Sequence, residues 1–269
     1  MLLKESKSQV SSRVLFGPAG LGGIKESLYN LKNYANLGLK ACEISFTHGV
    51  YITKEEDALR IGQFAKNLGI KLSIHAPYWI NFNSDDLDKI KKSKERVLQC
   101  CKVGTWLEAH RVVFHPGYYG GDKIQAYKNI KNNLLDLKRE CESKGYTPKL
   151  APEIMGKINV FGSIDEIKKL YKEVNCSFCI DFAHILARYG DYKFKETFDS
   201  FKDENEIHIH FSGIDYGEKG EKNHKKTEVS EWKSLLTNLP KNKEIIIINE
   251  SKSPLEDSIE GLSIYSKIS

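Results

Sequence analysis

The chain has 269 residues, of which 40% are hydrophobic and 29% are charged, and its formal net charge is +5. These values are typical of a soluble globular protein, and the longest apolar run, Ile245–Ile248, is far too short to cross a bilayer. Met1–Val10 are mostly polar, so we expect a polar N-terminal tail at residues 1–10, no signal peptide and a cytoplasmic protein. The modest positive charge permits an anionic substrate but does not require one.

Short apolar runs recur along the whole chain, roughly 30 residues apart. Most of them are nearly continuous in hydrophobicity, which is typical of parallel strands that are covered on both faces. The predicted strands are Arg13–Gly17, Ala41–Ser45, Lys71–His75, Arg111–His115, Lys149–Glu153, Phe178–Asp181, Ile207–Phe211 and Ile245–Asn249.

Stretches with helical periodicity lie between these runs. The predicted helices are Ile24–Leu37, Lys54–Leu68, Asp85–Ala109, Lys123–Ser143, Ile164–Lys172 and Ser230–Asn238. Alternating strands and helices predict a parallel sheet with right-handed crossovers. Eight strands in a chain of this length favour a closed barrel over an open sheet. We therefore predict an α/β fold, a (β/α)8 TIM barrel, as a single domain over residues 1–269.

The residue types that bind metals are concentrated at the ends of the predicted strands. In a (β/α)8 barrel the C-terminal ends of all strands converge on one face, where active sites lie. The third to eighth strands therefore direct an imidazole or a carboxylate at one small volume. The candidate residues at or near these ends are His75, His115, Glu153, Asp181, His184, His210, His224 and Glu250.

Taken singly, a histidine or carboxylate at a strand end is more often a structural residue or a helix cap than a ligand. A crowded set is different, because burying these groups without a counter-charge would cost several kcal/mol each. A divalent metal supplies that charge, and a mixed set of imidazoles and carboxylates suits zinc or manganese. One four-ligand site would consist of Glu153, Asp181, His210 and Glu250. The four remaining histidines suffice for one or two further metals, and adjacent metals bridged by a carboxylate suit displacement at phosphorus.

Six cysteines occur in the chain, and two of them, Cys176 and Cys179, form a C-x-x-C motif. Such motifs bind zinc or carry redox chemistry in other proteins. Here Cys179 belongs to an apolar run and no second pair completes a four-ligand site, so we expect buried free thiols.

Several motifs are specific as a set, although each is weak alone. They are His75-Ala-Pro-Tyr-Trp-Ile-Asn81, His115-Pro-Gly117 and Asp181-Phe-Ala-His184, together with Glu153, His210, His224 and Glu250. In this set the chain resembles the endonuclease IV family of apurinic/apyrimidinic-site DNA repair enzymes, over essentially the whole barrel. The resemblance implies a zinc-dependent enzyme of base excision repair. Such an enzyme cleaves the phosphodiester 5′ to an abasic site in double-stranded DNA.

The resemblance also implies a role for each candidate ligand. Glu153 would be the catalytic residue that bridges two zinc ions, and His75 and His115 would complete the first of them. The ligands that would complete the second zinc are Asp181, His210 and Glu250. The implied reaction is attack of hydroxide on phosphorus.

A third zinc is implied at His184 and His224, but here the chain departs from the family. The usual remaining ligand is an aspartate two residues before the second histidine, and this position is Lys222. An ammonium group cannot ligate zinc. Either the third site is weak or absent, or a nearby carboxylate takes the place of the aspartate. The nearby carboxylates are Asp215, Glu218 and Glu221.

Tyr78 and Trp79 are the candidate substrate-binding residues. Tyr78 matches a family tyrosine that lies near the DNA strand at the abasic gap, and Trp79 could add a stacking surface. Packing over the barrel mouth is the alternative interpretation for both. The loop at Thr47–Gly49 does not reproduce the arginine-bearing loop with which the family probes DNA.

Two other functions stay open. Sugar isomerases and epimerases of the xylose-isomerase-like superfamily use the same barrel with one Mn²⁺ or Mg²⁺, and the four-ligand set above also satisfies their pattern. In that hypothesis Glu153 and Glu250 would move a proton next to a carbonyl. A nucleic-acid-binding protein without catalysis is the third hypothesis. The preferred hypothesis is a monomer that acts on abasic DNA with two zinc ions and an uncertain third.

Overall fold

The computed structural model describes residues 13–268, so the predicted tail at residues 1–10 lies outside the described residues. The described strands are β1 (Arg13–Pro18), β2 (Ala41–Ser45), β3 (Lys71–His75), β4 (Arg111–Phe114), β5 (Lys149–Pro152), β6 (Ile180–Asp181), β7 (Glu206–Phe211), β8 (Gly213–Gly217), β9 (Gly220–Lys225) and β10 (Glu244–Asn249). The described helices are α1 (Ser27–Asn36), α2 (Glu55–Asn67), α3 (Leu87–Trp106), α4 (Lys123–Ser143), α5 (Ile164–Val174), α6 (Phe182–Tyr189), α7 (Phe194–Ser200), α8 (Val229–Thr237) and α9 (Pro254–Ile268).

Eight parallel strands form the barrel. Hydrogen bonding orders them as β1-β10-β7-β6 in one arc and β2-β3-β4-β5 in the other. Single parallel bridges join the two arcs, between Ala19 and Glu43 on one side and between Glu153 and Cys179 on the other. The predicted (β/α)8 fold is therefore confirmed.

The strands are buried on both faces, as their continuous hydrophobicity predicted. In β10 the four isoleucines Ile245–Ile248 are each at most 1% exposed, between β1 and β7. Amphipathic helices cover the outside of the barrel. One of them, α5, begins with a capping box in which Ser163 and Glu166 satisfy each other's backbone N–H groups.

The six predicted helices are all present, and their ends differ from the prediction by at most three residues. Three helices in the last third of the chain, α6, α7 and α9, were not predicted. The first two have only eight and seven residues, which is too short for a clear helical period. The antiparallel pair β8–β9 was also missed. All six cysteines are free thiols; five are buried, as expected, and Cys176 is partly exposed.

No helix within residues 13–268 is long and apolar enough to span a membrane.

Candidate metal centre

All eight predicted ligands lie at the C-terminal face of the barrel: six are at or just after the ends of parallel strands, His184 is in α6 and His224 is in β9. His75 ends β3, His210 lies in the last part of β7, and Asp181 ends β6. The carboxylate of Asp181 accepts a hydrogen bond from the backbone N–H of His184 at 2.8 Å and so caps α6. This cap holds His184 in the first turn of the helix, where its side chain faces the same volume.

Glu153 lies at the centre of the cluster and is fully buried. Its Oε2 atom is 3.3 Å from Nε2 of His75 and 3.1 Å from Nε2 of His115. Its Oε1 atom is 3.2 Å from Nδ1 of His210 and 3.5 Å from Nδ1 of His184. The two oxygens of one carboxylate therefore face two different sets of imidazoles.

The donor atoms of the eight predicted ligands form three groups in which all atoms lie within 4.8 Å of one another, and Cys179, His208 and His210 form a fourth group that shares His210. The three groups are His75, His115 and Glu153; Glu153, Asp181, His210 and Glu250; and Asp181, His184 and His224. Each of the three sets combines imidazole nitrogens with carboxylate oxygens, which suits a divalent metal such as zinc. Oδ2 of Asp181 is buried and lies 3.3 Å from Nδ1 of His184, but among residues 13–268 it accepts no hydrogen bond. This free acceptor fits a metal, so the groups can hold metal ions.

The carboxylates are stabilised by the surrounding imidazoles. Burial alone would raise the pKa of Glu153, but His210, His115 and His75 outweigh it and hold this pKa well below its ordinary value. Burial likewise opposes the effect of His210 on Glu250, whose pKa is lowered to about 2. For Asp181 burial dominates and raises the pKa to about 8. Metal binding would take over the positive charge that protonated imidazoles supply, and would release their protons.

Glu43 is a member of the site that sequence reasoning missed. It lies in β2 and is fully buried. Its Oε1 is 3.0 Å from Nε2 of His210, its Oε2 is 3.2 Å from Nε2 of His208, and Ser73 donates a hydrogen bond to Oε2 at 2.8 Å. A carboxylate within the otherwise apolar or small run Ala41–Ser45 was the available signal, since a buried acid needs a partner.

Tyr78 and Trp79 lie in different surroundings in the structure. Tyr78 lines a cavity of about 410 Å³ at the barrel mouth, and its ring centroid is 5.5 Å from that of His115 and 5.7 Å from that of His75. Trp79 is 59% exposed and lies outside this cavity, in a neighbouring groove. The basic side chains of this groove are Lys89, Lys92 and Arg96. Only Tyr78 therefore contacts the predicted metal ligands.

The hairpin β8–β9 delivers His224 to the cluster. The ring centroid of His224 is 5.5 Å from that of His184, and Nδ1 of His224 is 2.7 Å from Oγ of Ser212. Lys222 is exposed, as befits an ammonium group. The three nearby carboxylates differ. Asp215 pairs with Lys225, Glu218 is exposed, and Glu221 places Oε2 3.7 Å from Nε2 of His184.

Known proteins share both the sequence and the fold. The chain is 36% identical over 224 residues to an uncharacterized protein of Methanocaldococcus jannaschii. The match covers 78% of this chain and 81% of that one. It is 27% identical over 141 residues, 49% of either chain, to a probable endonuclease 4 of Aquifex aeolicus. The match to endonuclease 4 confirms the resemblance that the motifs indicated.

Solved structures from both reaction classes share the fold. SacUVDE has a TM-score of 0.73 at 15% identity, covering 96% of this chain and 99% of that one. A D-tagatose 3-epimerase-like protein has a TM-score of 0.71 at 19% identity, and the match covers 94% of this chain and 97% of that one. Endonuclease IV from Thermus thermophilus has a TM-score of 0.68 at 16% identity, and the match covers 95% of this chain and 98% of that one. Residues 31–265, which include every strand from β2 to β10, match the family described as xylose isomerase-like TIM barrel, and the chain belongs to that family.

Proposed function

We propose that this protein is a zinc-dependent apurinic/apyrimidinic endonuclease that hydrolyses the DNA phosphodiester 5′ to an abasic site. The observation that carries the proposal is the position of Glu153. Its two oxygens face two separate ligand groups at 3.1–3.5 Å. A carboxylate shared by two adjacent metals is the arrangement that suits in-line displacement at phosphorus. A one-metal enzyme does not require the group made by His75 and His115.

In this proposal the chain holds the metals and shapes the space above them. Metals bound here would lower the pKa of water and neutralise charge that develops on phosphate oxygens. Glu153 would be a ligand of both metals, and Tyr78 borders the cavity in which the phosphodiester would lie. Lys157 and Lys222 also line this cavity, and their positive charge favours an anionic substrate.

The proposed partner is double-stranded DNA, and the proposal includes a monomer that works in the cytoplasm. The groove with Trp79 adjoins the cavity through Tyr78, which lines both. Exposed Lys89 and Lys92 in this groove could contact backbone phosphates while the indole provides a stacking surface. This combination suits a nucleic acid better than a small sugar.

A single-metal sugar isomerase or epimerase is the second candidate. It is favoured by one observation, a complete four-ligand group that needs neither His75 nor His115. That group consists of Glu153, Asp181, His210 and Glu250. With one Mn²⁺ or Mg²⁺ bound, Glu153 and Glu250 would move a proton beside a substrate carbonyl. A nucleic-acid-binding protein without catalysis is the third candidate, and the retained candidate ligands argue against it.

The test is incision of a defined abasic duplex by the purified protein, with and without a chelator, together with metal analysis. The proposal expects two to three zinc ions per chain and cleavage 5′ to the lesion that the chelator abolishes. The variant Glu153→Gln should fold, as judged by circular dichroism, and should not cut. A single Mn²⁺ or Mg²⁺ per chain, no incision and turnover of a ketose would overturn the proposal in favour of the isomerase.

A further inference from the structure

We propose that Glu221 is the carboxylate ligand of a third metal beside His184 and His224, and that a β-bulge at Lys222 puts it there. The proposal deepens the proposed metal centre and rests on it, but it does not depend on which reaction that centre catalyses. It begins from the two imidazoles, which both lie on the wall of the cavity together with Glu221.

Both imidazoles are oriented for a ligand. Nδ1 of His184 is 3.0 Å from the carbonyl oxygen of Ile154, and Nδ1 of His224 is 2.7 Å from Oγ of Ser212. When one ring nitrogen is held by a backbone carbonyl or a hydroxyl, the other is left to bind a metal. Nε2 of His184 accordingly faces the carboxylate of Glu221.

The register of the hairpin decides which residue accompanies His224. In β8–β9, Ile214 pairs with His224, Asp215 pairs with Asn223, and Tyr216 pairs with Glu221. Lys222 is thus an extra residue without a partner, which defines a bulge.

The bulge reverses the alternation of side chains along β9. In a regular strand, residues two apart share a face, so Lys222 would lie on the face of His224. Ile214 and Tyr216 share a face of β8, and their partners His224 and Glu221 therefore share the same face of β9. The exposures agree with this, because the Glu221 side chain is only 13% exposed, whereas Lys222 is exposed. Lys222 also lines the cavity, but its ammonium lies beside Gly217, within 3.0 Å of where a Cβ of that residue would be.

One oxygen of Glu221 has no hydrogen-bond partner. Oε2 is buried and lies 3.7 Å from Nε2 of His184, and no other group in the described part of the chain donates to it. Its other oxygen is 3.7 Å from the ammonium of half-exposed Lys157, a contact of little strength. Leaving a buried carboxylate oxygen unsatisfied is costly, and a metal between it and the imidazole removes the cost.

The space for this carboxylate depends on a glycine. A Cβ at residue 156 would stand 2.1 Å from Oε2 of Glu221 and 3.1 Å from Cα of His184. Gly220, at the start of β9, has φ +96° and packs against the carbonyl of Gly156, where a Cβ would stand 2.2 Å away. The hairpin therefore packs closely against the loop after β5, with Glu221 facing His184.

The experiment compares Glu221→Gln with Glu218→Gln, the same chemical change on the exposed turn of the same hairpin. Metal-free protein is loaded with Zn²⁺, freed of excess metal by gel filtration and analysed by mass spectrometry. Loading with Co²⁺ provides a second readout, the visible absorption of each bound ion. We expect Glu221→Gln to bind one metal fewer per chain than the unaltered protein, and Glu218→Gln to keep the full number. Gly156→Ala should lose the same metal, because the added Cβ occupies the place of the carboxylate.

Two results would overturn the proposal. One is a full metal content and an unchanged Co²⁺ spectrum in Glu221→Gln, and the other is an unaltered protein that binds only two metals. Circular dichroism establishes that each variant folds. Since no DNA is used, the outcome is separate from the reaction: loss of one metal in Glu221→Gln stands even if abasic DNA is never cut.

Discussion

Oε1 of Glu43 lies 3.0 Å from Nε2 of His210, and neither residue is exposed to solvent. On its other side the same imidazole faces Glu153 and Glu250 through Nδ1, at 3.2 and 3.3 Å. A carboxylate behind a histidine fixes the orientation of the ring and increases its basicity towards a metal. We therefore expect Glu43, on the second strand, to act as a positioning residue for the proposed metal centre.

Glu43→Gln should weaken metal binding without unfolding the barrel. The amide keeps the size of the side chain but loses the charge that supports His210, and loss of such a partner typically lowers metal affinity by about 10–100-fold. The affinity is measured by competition with a chromophoric chelator. Glu56→Gln, on the exposed face of α2, is the control. Equal affinities in the two variants would contradict the role of Glu43.

Zinc should stabilise the folded chain. A ligand that binds only the native state adds about 2.7 kcal/mol at a free concentration of 100 times Kd. For a chain of this size, about 2–4 °C in Tm accompanies each kcal/mol, so removal of zinc should lower Tm by roughly 5–10 °C. Thermal unfolding with a chelator and after re-addition of Zn²⁺ measures the shift. If Tm changes neither with the chelator nor after re-addition of Zn²⁺, the clusters do not bind zinc.

Glu206 should make stability depend on pH in the acid range. Burial alone would raise its pKa, but Arg111, His110 and Lys71 outweigh burial and lower it well below 4.5. A carboxyl whose pKa is lower in the folded state stabilises the fold above its unfolded pKa and loses this effect as the pH falls. Glu206→Gln should therefore cost roughly 3 kcal/mol at pH 7, because Arg111 is left buried without its partner.

The measurement is urea unfolding of both proteins between pH 7 and pH 3. The difference in free energy of unfolding should narrow as the pH drops below 4.5, the ordinary pKa of this carboxyl. Glu196→Gln, which alters an exposed pair with Lys193, is the control. A difference that stays constant with pH would show that Glu206 acts through packing instead of charge.

Lys92→Ala should weaken DNA binding at all sequences alike. If the groove beside Trp79 follows the backbone, loss of one phosphate contact reduces the slope of log K against log salt by about 1. Fluorescence anisotropy with an abasic duplex at several salt concentrations measures it. Lys241→Ala, just before β10 at the opposite end of the barrel, should leave the slope unchanged. If log K falls equally steeply with log salt in both variants, the DNA does not bind in the groove beside Trp79.

Much of the fold was predictable because strands of a barrel leave a strong local signal. The runs at Ala41–Ser45 and Lys71–His75 were predicted to the residue from their short apolar segments, although each also contains polar residues, Glu43 in the first and Ser73 in the second. The strand β6 was predicted four residues long but spans Ile180–Asp181 alone, because Cys179 makes only a single bridge to Glu153. The hairpin β8–β9 was not predicted, because its residues are mostly polar and its glycines weaken any alternating pattern.

By itself the sequence determined which residues end the strands, and hence that His75, His115 and Glu153 would meet on one face. That inference needs only hydrophobic periodicity and the rule that parallel strands end on the same side. The tertiary structure alone decided the contacts that depend on register across distant segments. Only the tertiary structure places Glu43 beside His210, on another strand of the barrel. Only the bulge in β9 puts Glu221, instead of Lys222, on the same face of the strand as His224. A one-residue bulge reverses which side chains face inward, and pairing between strands, not local composition, determines where it falls.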